Sequence, residues 1–210
     1  MRSLGKLLSI SSAPISYHAD VKLGTEADFG AIGEQLEDLL HTRNGFYAFE
    51  SSLHVFPGAV HENEITLSRW NSFELWRFEY GDLAEGALFF AEDAFGDQFC
   101  IYGENVCSFT AETGELKPFA ETLESWAEHI LKDYQVLTGY PLLHLWQEKN
   151  GALPIGSRLM PKLPFVLGGE YSLDNLYALS AVSGMRSRGN LARQLKDVPD
   201  GSRVQFRLVE

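Results

Sequence analysis

The chain has 210 residues, of which 45% are hydrophobic and 12% aromatic, so it can bury a core and is not a disordered chain. It contains no run of about 18 apolar residues, and its N-terminal apolar patch is shorter than the roughly 7–15 residues of a signal peptide, so we expect a cytoplasmic protein without a membrane partner. Its 29 acidic and 17 basic side chains give a net charge of −12, which disfavours a nucleic-acid partner because nucleic acids are bound through positive charge.

The first strong signal along the chain is that of an amphipathic helix. The hydroxyl of Thr25 can cap its start, and Ile32 and Leu36 fall on one apolar face with the leucines that follow. Asn44 and Gly45 then supply a left-handed stop. The sequence therefore predicts a helix that begins at Thr25 and ends before Asn44.

The next segments alternate between strand and helix signals. Residues 45–58 contain two short β-prone runs closed by Pro57 and Gly58, and residues 86–110 contain several such runs separated by turn-forming residues. Residues 68–80, between them, are rich in aromatic side chains of mixed period. We predict a helix there, with strands on either side.

The two cysteines are predicted to face each other across a hairpin. A two-residue turn at Gly103 and Glu104 would place Cys100 directly opposite Cys107 in a hydrogen-bonded pair, with Cα atoms about 5.5 Å apart. Such a pair suits a disulfide poorly, and the cytoplasm keeps thiols reduced. We therefore predict two free thiols with a structural role.

The second half of the chain opens with a turn, Glu112 to Glu115, and the strongest helix signal. A continuous apolar stripe predicts a helix over residues 119–137, which begins at Phe119 and ends before Gly139. The remaining predicted elements are a helix at 141–149, a strand at 175–182, a basic helix at 184–196 and a closing strand at 203–209.

A shift in charge marks a boundary near residues 153–164, where prolines and a glycine interrupt the pattern. Residues 1–157 hold 9 basic and 24 acidic side chains, whereas residues 158–210 hold 8 basic and 5 acidic ones. We therefore predict a main domain of residues 1–152 and a C-terminal extension of residues 153–210 that packs on the main domain or completes it.

The sequence lacks the patterns of the common catalytic and metal sites. The cysteines form no C-x-x-C pair, no G-x-S-x-G nucleophile motif occurs, and Gly168 and Gly169 lie in no phosphate-loop frame. We therefore predict no metal, no cofactor and no catalytic residue. His129 and His144 are interpreted as packing residues, and the histidines interpreted as solvent-facing are His18, His41, His54 and His61.

The acidic residues are concentrated in one stretch, since residues 79–97 carry six carboxylates and no lysine or arginine. The ordinary interpretation is a solvated surface with turn-forming aspartates, and a catalytic carboxylate pair is another. The functional interpretation is a negative face that docks a basic protein, because complementary charge speeds association. The candidate partner-binding residues are Glu79, Asp82, Glu85, Glu92, Asp93 and Asp97. Trp70 and Trp76 could anchor such an interface but are interpreted as core residues.

Several motifs follow one another in a characteristic order. They are Asn44-Gly45-Phe46, a tryptophan at Trp70 or Trp76, Glu92-Asp93-Ala94-Phe95-Gly96 at a strand end, a hairpin from Phe99 to Phe109, the turn Glu112-Thr113-Gly114-Glu115 and a helix from Phe119. Over residues 25–150 this order resembles the SUKH superfamily. The resemblance implies an α+β fold with a mainly antiparallel sheet packed against α-helices, to which this chain adds a C-terminal α/β extension.

The resemblance also implies a function. Bacterial members of the superfamily are commonly immunity proteins that neutralise a cognate toxin, often a nuclease, and the eukaryotic branch includes a regulator of cell-wall synthesis. We therefore predict a non-enzymatic protein-binding module that binds a toxin domain, possibly a basic nuclease, through its acidic surface. A scaffold or regulatory protein of the same family without a toxin partner is one alternative, and an enzyme is another. The sequence leaves the oligomeric state open.

Overall fold

The computed structural model describes residues 2–17, 23, 29–58, 65–199 and 201–202. They form an α+β fold in which an antiparallel sheet packs against helices, so the predicted fold class is confirmed. The α-helices are α1 (Ser3–Ile10), α2 (Gly30–Thr42), α3 (Leu67–Trp70), α4 (Phe78–Tyr80), α5 (Leu123–Lys132), α6 (Tyr134–Leu137), α7 (Tyr140–Asn150) and α8 (Ala181–Leu195). A π-helical turn, Phe73–Arg77, precedes α4, and the 3₁₀ turns are Gly81–Ala84, Phe165–Leu167 and Leu173–Asn175.

The strands form a sheet and a separate ribbon. They are β1 (Phe46–Ala48), β2 (Leu53–Val55), β3 (Leu88–Glu92), β4 (Gln98–Tyr102), β5 (Asn105–Thr110), β6 (Glu115–Ala120), β7 (Ser157–Pro161) and β8 (Leu176–Ser180). Strands β1 to β6 lie in chain order in one antiparallel sheet, and β7 pairs with β8. The β4–β5 hairpin places Cys100 opposite Cys107 as predicted, and both thiols are buried and free. They fill small apolar positions of the sheet.

Strand β6 occupies residues where we predicted the start of a helix. Phe119 lies in β6, and its distance of four residues from Leu123 imitates the helical period. The helix begins only after Thr122, whose hydroxyl accepts a hydrogen bond from the Ser125 amide over 3.0 Å. The helix is also shorter than predicted, because Asp133 leaves the helical conformation and separates α5 from α6.

The other element predictions are confirmed within a few residues where the structure describes them. Helical turns cover most of residues 67–80, α7 and α8 match the helices predicted at 141–149 and 184–196, and β8 matches the strand at 175–182. Thr25 and the strand predicted at 203–209 lie outside the described residues, but α2 begins at Gly30, later than predicted, because Phe29 is not in the helical conformation. In the described part of the chain, no helix has the length and apolar character needed to cross a membrane.

The main core lies between the six-stranded sheet and the helices. Trp70, Trp76 and Trp126 are fully buried in it, which confirms the core interpretation of the first two. The indole nitrogen of Trp70 donates a hydrogen bond to Oε1 of Gln98 over 2.9 Å. This polar contact ties the end of α3 to the start of β4.

The residues after 153 contribute to a smaller second core. Its buried members are Ala94, Phe95, Leu143, Trp146, Leu159 and Leu176. The Leu159 amide of β7 donates a hydrogen bond to the carbonyl of Ala94 over 2.9 Å, so the ribbon lies against the turn between β3 and β4. Helix α8 packs on α4 and on the π-helical turn. The β7–β8 ribbon and α8 therefore both pack against the segment that carries the predicted acidic residues.

Candidate functional site

The six predicted acidic residues fall into two groups. The surface group is Glu79, Asp82 and Glu85, and the interior group is Glu92, Asp93 and Asp97. Glu92 is 2% exposed and Asp93 is 7% exposed. The prediction of one solvated acidic face is therefore wrong for the interior group. The reason is that every residue of β3 is buried, so the carboxylates at its end point into the protein.

Glu92 is the centre of a buried polar network. Its Oε1 lies 2.8 Å from Nε of Arg158 on β7 and 3.0 Å from Nδ1 of His54 on β2. Burial raises the pKa of Glu92, but Arg158 and His54 outweigh burial and hold the pKa below its usual value. His54, which we expected to face solvent, is buried because its ring packs between Tyr47 and Phe56.

The other histidine predictions have mixed outcomes. His129, expected to be a partly buried packing residue, is exposed, whereas His144 is half-buried as expected. Nδ1 of His144 lies 2.8 Å from a carboxylate oxygen of Glu50, and His129 contacts the ring of Phe119 edge to face. His41 is exposed as predicted, and His18 and His61 lie outside the described residues.

Asp93, Asp97 and Glu112 form a second group of buried or half-buried acids, called the carboxyl cluster below. Oδ1 of Asp93 accepts hydrogen bonds from the amides of Phe95 and Asp97, each over 2.9 Å. Oδ1 of Asp97 accepts from the amide of Ala111 over 2.8 Å, which brings the β3–β4 turn next to Glu112 in the β5–β6 turn. The cluster therefore joins two turns at one end of the sheet.

Arg188 of α8 is the cation that faces the carboxyl cluster. Its buried guanidinium donates hydrogen bonds to the carbonyls of Phe95 and Gly184, the second over 3.2 Å. Gly96 makes room for it, since a Cβ at that position would lie 2.5 Å from Nη2 of Arg188. The extension thus places a positive charge against the end of β3.

The negative charge of the carboxyl cluster exceeds this positive charge. Burial raises the pKa of Asp93, Asp97 and Glu112, and the charge of Asp97 raises that of Asp93 further, to well above its usual value. Arg188 and the amide hydrogen bonds act in the opposite direction without cancelling burial. The cluster therefore favours the uptake of protons.

Phe95 is the apolar side chain of the Glu92–Gly96 motif. Its ring centroid lies 5.6 Å from that of Phe165 and 5.8 Å from that of Tyr171, both in the loop between β7 and β8. The motif therefore contacts the extension through its acids, its backbone and its ring, and it is not presented to solvent.

Sequence reasoning missed Arg158, Arg188 and Glu112 as members of the site. One signal was available for Arg188, because it lies three residues from both Met185 and Leu191 on the buried face of α8. A single arginine among apolar positions indicates a buried counter-ion, because an unpaired buried charge is costly. No comparable local signal marks the other two residues.

The surface group lies beside a pocket of about 390 Å³ at the π-helical turn. The pocket is lined by Asn71, Phe73, Arg77, Gly81, Ala84 and Glu85. The ring of Phe73 is 61% exposed at this pocket. Turns of π-helix are rare and occur frequently at functional sites. The exposed side chains that surround the pocket, Phe73, Glu74, Phe78, Asp82 and Glu85, are called the docking surface below.

Part of the surface group is already paired with α8 and the residue that follows it. Nζ of Lys196 lies 2.6 Å from Asp82, whose pKa this hydrogen bond lowers, and Arg193 lies 3.5 Å from Glu79. Neither Glu74 nor Glu85 forms a salt bridge with any residue that the structure describes. These two carboxylates are therefore open to a partner.

The donor groups of the described residues do not assemble into a metal site. Within that part of the chain, no three His, Cys, Asp or Glu side chains are placed to hold a metal ion together. The chemistry that the docking surface offers is hence that of exposed aromatic rings, a pocket and carboxylates.

The fold is similar to that of a solved bacterial protein. The crystal structure of Atu4351 from Agrobacterium tumefaciens matches with a TM-score of 0.56 and 16% sequence identity, over 87% of this chain and 86% of that one. At this identity the similarity establishes the fold alone. No protein-family model matches the sequence, and no curated protein matches it.

Proposed function

We propose that this protein is a non-enzymatic protein-binding module of the SUKH type, an immunity protein that neutralises a cognate toxin domain with a basic surface. The observation that carries the proposal is the exposed ring of Phe73 beside a pocket with carboxylates at its rim. A cytoplasmic location and the lack of a cofactor belong to the same proposal.

Phe73 has the properties of an interface anchor. Its exposed ring contacts Phe78 edge to face, with a centroid distance of 6.5 Å, so it is held in place at the mouth of the pocket. Aromatic side chains are enriched at protein interfaces, where they bury a large apolar area at low entropic cost. This arrangement favours a partner that covers the ring and inserts a side chain into the pocket.

The charge of the docking surface selects the type of partner. Glu74 and Glu85 carry negative charge beside the ring that no salt bridge with a described residue neutralises. Asp82 is paired with Lys196, and the whole chain has a net charge of −12. Complementary charge raises the association rate with a basic protein, and salt weakens this effect. We therefore expect a partner with lysines and arginines around an apolar contact.

The three acids with raised pKa values do not line this pocket, which favours binding rather than catalysis at the docking surface. None of the three acids of the carboxyl cluster lines the pocket. Arg77 does line it, but its guanidinium donates hydrogen bonds to the carbonyls of Asn71 and Ala84, and burial lowers its pKa. An active site would bring shifted titratable groups and the pocket together.

A scaffold or regulatory protein without a toxin partner is the second candidate. The pairing of Asp82 with Lys196 and of Glu79 with Arg193 favours it, because part of the acidic surface is used within the chain. The two candidates differ in their binding. An immunity protein has one tight partner, whereas a scaffold has several weak ones.

Affinity capture of the tagged protein from its native cells at low salt, followed by mass spectrometry, tests the proposal. The test variants are Phe73→Ala and the double variant Glu74→Gln/Glu85→Gln. The matched control is Glu104→Gln/Glu128→Gln, which neutralises two exposed carboxylates outside the docking surface.

One dominant basic protein, retained by wild type and by the control, supports the immunity function if Phe73→Ala weakens its binding by about 30-fold, the loss typical of a hot-spot residue. That protein must also be toxic when produced alone and harmless when produced with wild type. Several weak partners would favour the scaffold function. Binding that neither test variant changes would contradict the proposal that the docking surface binds the partner.

A further inference from the structure

The carboxyl cluster carries more negative charge than its surroundings neutralise. Asp93, Asp97 and Glu112 come from two neighbouring turns, and the cation that attracts all three is Arg188. Three ionised carboxylates would leave two negative charges without a counter-ion in the interior. Buried charges of this kind are relieved by proton uptake or by the entry of water.

Glu112 is the member of the cluster with a buried oxygen that lacks a hydrogen-bond partner in the described part of the chain. Its Oε2 accepts a hydrogen bond from the Val166 amide over 2.8 Å, and the Phe165 amide also stabilises the carboxylate, whereas the buried Oε1 has no hydrogen-bond partner among the described residues. The side chain is only 5% exposed, and the segment of residues 162–171 contacts it through the amides of Phe165 and Val166. A buried oxygen without a donor destabilises the carboxylate more than the neutral acid.

The other titratable groups around the cluster do not change charge in the same pH range. Tyr80 of α4 and Tyr171 of the β7–β8 loop have pKa values raised by burial, so both stay neutral. Glu92 stays ionised next to Arg158, since its pKa is lowered. The charge of this region is therefore set by the carboxyl cluster and Arg188.

We propose that the carboxyl cluster is a pH-sensitive latch, in which proton uptake fastens residues 162–171 over the end of the sheet and proton loss loosens them. Ionised Glu112 gains water only when Val166 and its neighbours move away. The same segment is held by the stacked rings of Phe165 and Tyr171, whose centroids lie 3.8 Å apart above Phe95. The latch shares no residue with the docking surface, so it does not depend on the proposed function.

The raised pKa values of the three acids determine whether the closed state gains or loses population as the pH rises. Their folded-state pKa values lie above the ordinary values of 3.8 for aspartate and 4.5 for glutamate. The closed state therefore binds protons more tightly than the open one, and its population falls as the pH rises above about 4 through the raised pKa values. Each proton released changes the closing equilibrium by up to about tenfold per pH unit. The lowered pKa of Glu92 has the opposite effect on the closing equilibrium, but only below about pH 4.5, where Glu92 takes up a proton.

Hydrogen exchange of the backbone amides of residues 163–172, followed by mass spectrometry at pH 4.0 and pH 8.0, tests the latch. After correction for intrinsic exchange, we expect protection in the wild type to fall by about tenfold or more between the two values. In Asp93→Asn/Glu112→Gln the amide oxygens can still accept the hydrogen bonds and only Asp97 can still ionise, so protection should be higher than in the wild type at pH 8.0 and should depend less on pH. Glu104→Gln, in the β4–β5 turn, should behave as wild type.

A second measurement on the wild type keeps the test decisive if the double variant does not fold. Carbon-detected nuclear magnetic resonance follows each side-chain carboxyl during a pH titration. At least one of Asp93, Asp97 and Glu112 should titrate above its ordinary value, which is 3.8 for aspartate and 4.5 for glutamate. Ordinary titration of all three, or loop protection that does not change with pH in the wild type, would overturn the proposal.

Discussion

Arg158 on β7 lies 2.8 Å from Glu92 at the end of β3, and the two side chains are 3% and 2% exposed. The ion pair connects the ribbon of the extension with a central strand of the sheet. Because an unpaired buried charge destabilises a protein strongly, each residue requires the other. The extension is thus tied to the sheet by charge as well as by apolar packing.

Replacing Arg158 by methionine should lower the free energy of unfolding by about 3–5 kcal/mol, because Glu92 then stays buried without its cation. Urea denaturation measures this loss. Adding Glu92→Gln to the variant should recover part of it. The exposed pair Lys117–Glu115 is the control, and Lys117→Met should cost less than about 1 kcal/mol. An equal loss in the two single variants would show that the buried pair has no special role.

Local patterns explain why much of the fold could be predicted from the sequence. The β4–β5 hairpin follows from a two-residue turn and β-prone neighbours, and Cys100 and Cys107 pair as that turn requires. Helix α2 follows from its apolar period and the stop at Gly45, whose φ is +69°. The predicted start of α5 was wrong. Phe119 lies in β6, but its distance from Leu123 is the one that two residues on the same face of a helix would have.

The candidate site was harder to predict, because burial of a charge depends on distant partners. Glu85 and Glu92 belong to the same acidic stretch, yet only Glu92 meets an arginine, 66 positions further along the chain at Arg158. The residues next to Glu92 in the sequence do not indicate that contact. The exposure of Phe73 could not be predicted from the sequence either, since the neighbouring aromatic residues Trp70 and Trp76 are fully buried.

Gly96→Ala should destabilise the protein more than Gly103→Ala does. Both glycines have positive φ, +80° and +58°, so both substitutions impose strain of about 1 kcal/mol. A Cβ at position 96 would in addition lie 2.5 Å from Nη2 of Arg188, whereas none of the surrounding atoms approaches one at position 103 within 4 Å. Thermal unfolding of the two variants measures the difference. Equal losses would contradict the close packing of Arg188 on this turn.

The contact between Glu50 and His144 should depend on pH near neutrality. The hydrogen bond that the His144 ring donates to the Glu50 carboxylate raises the pKa of His144 above 6.5, and the charge of Glu148 adds to this effect. A raised folded-state pKa means that the contribution to stability is complete below pH 6.5 and is lost as the pH rises through the raised value.

A titration of the His144 ring by nuclear magnetic resonance checks this dependence. Glu50→Gln should move the midpoint down towards 6.5, because the carboxylate charge is lost. Glu34→Gln, an exposed change on α2, should leave the midpoint in place. A midpoint that is the same in all three proteins would show that the contact does not form in solution.

The docking of α8 on α4 can be tested with two glycines of the same helix. Alanine in a helix interior is ordinarily more stable than glycine by about 1 kcal/mol. At Gly189, however, a Cβ would lie 2.7 Å from the ring of Tyr80 and 2.8 Å from Cβ of Glu79. Tyr80 cannot easily move, since its hydroxyl donates a hydrogen bond to the Ala111 carbonyl over 2.6 Å. Gly189→Ala should therefore cost about 1–3 kcal/mol, the usual range for overpacking.

Gly184→Ala is the matched substitution in α8. The nearest atom to a Cβ at Gly184 is the sulfur of Met160, at 2.8 Å, and a methionine side chain adjusts readily. The helix preference for alanine should offset most of that adjustment, so the free energy of unfolding should change by less than about 1 kcal/mol. Urea denaturation should thus give a clearly lower free energy of unfolding for Gly189→Ala than for Gly184→Ala. If both variants instead gain stability equally, α8 does not press against Tyr80, and Arg188 would lack the rigid support that holds it over the carboxyl cluster.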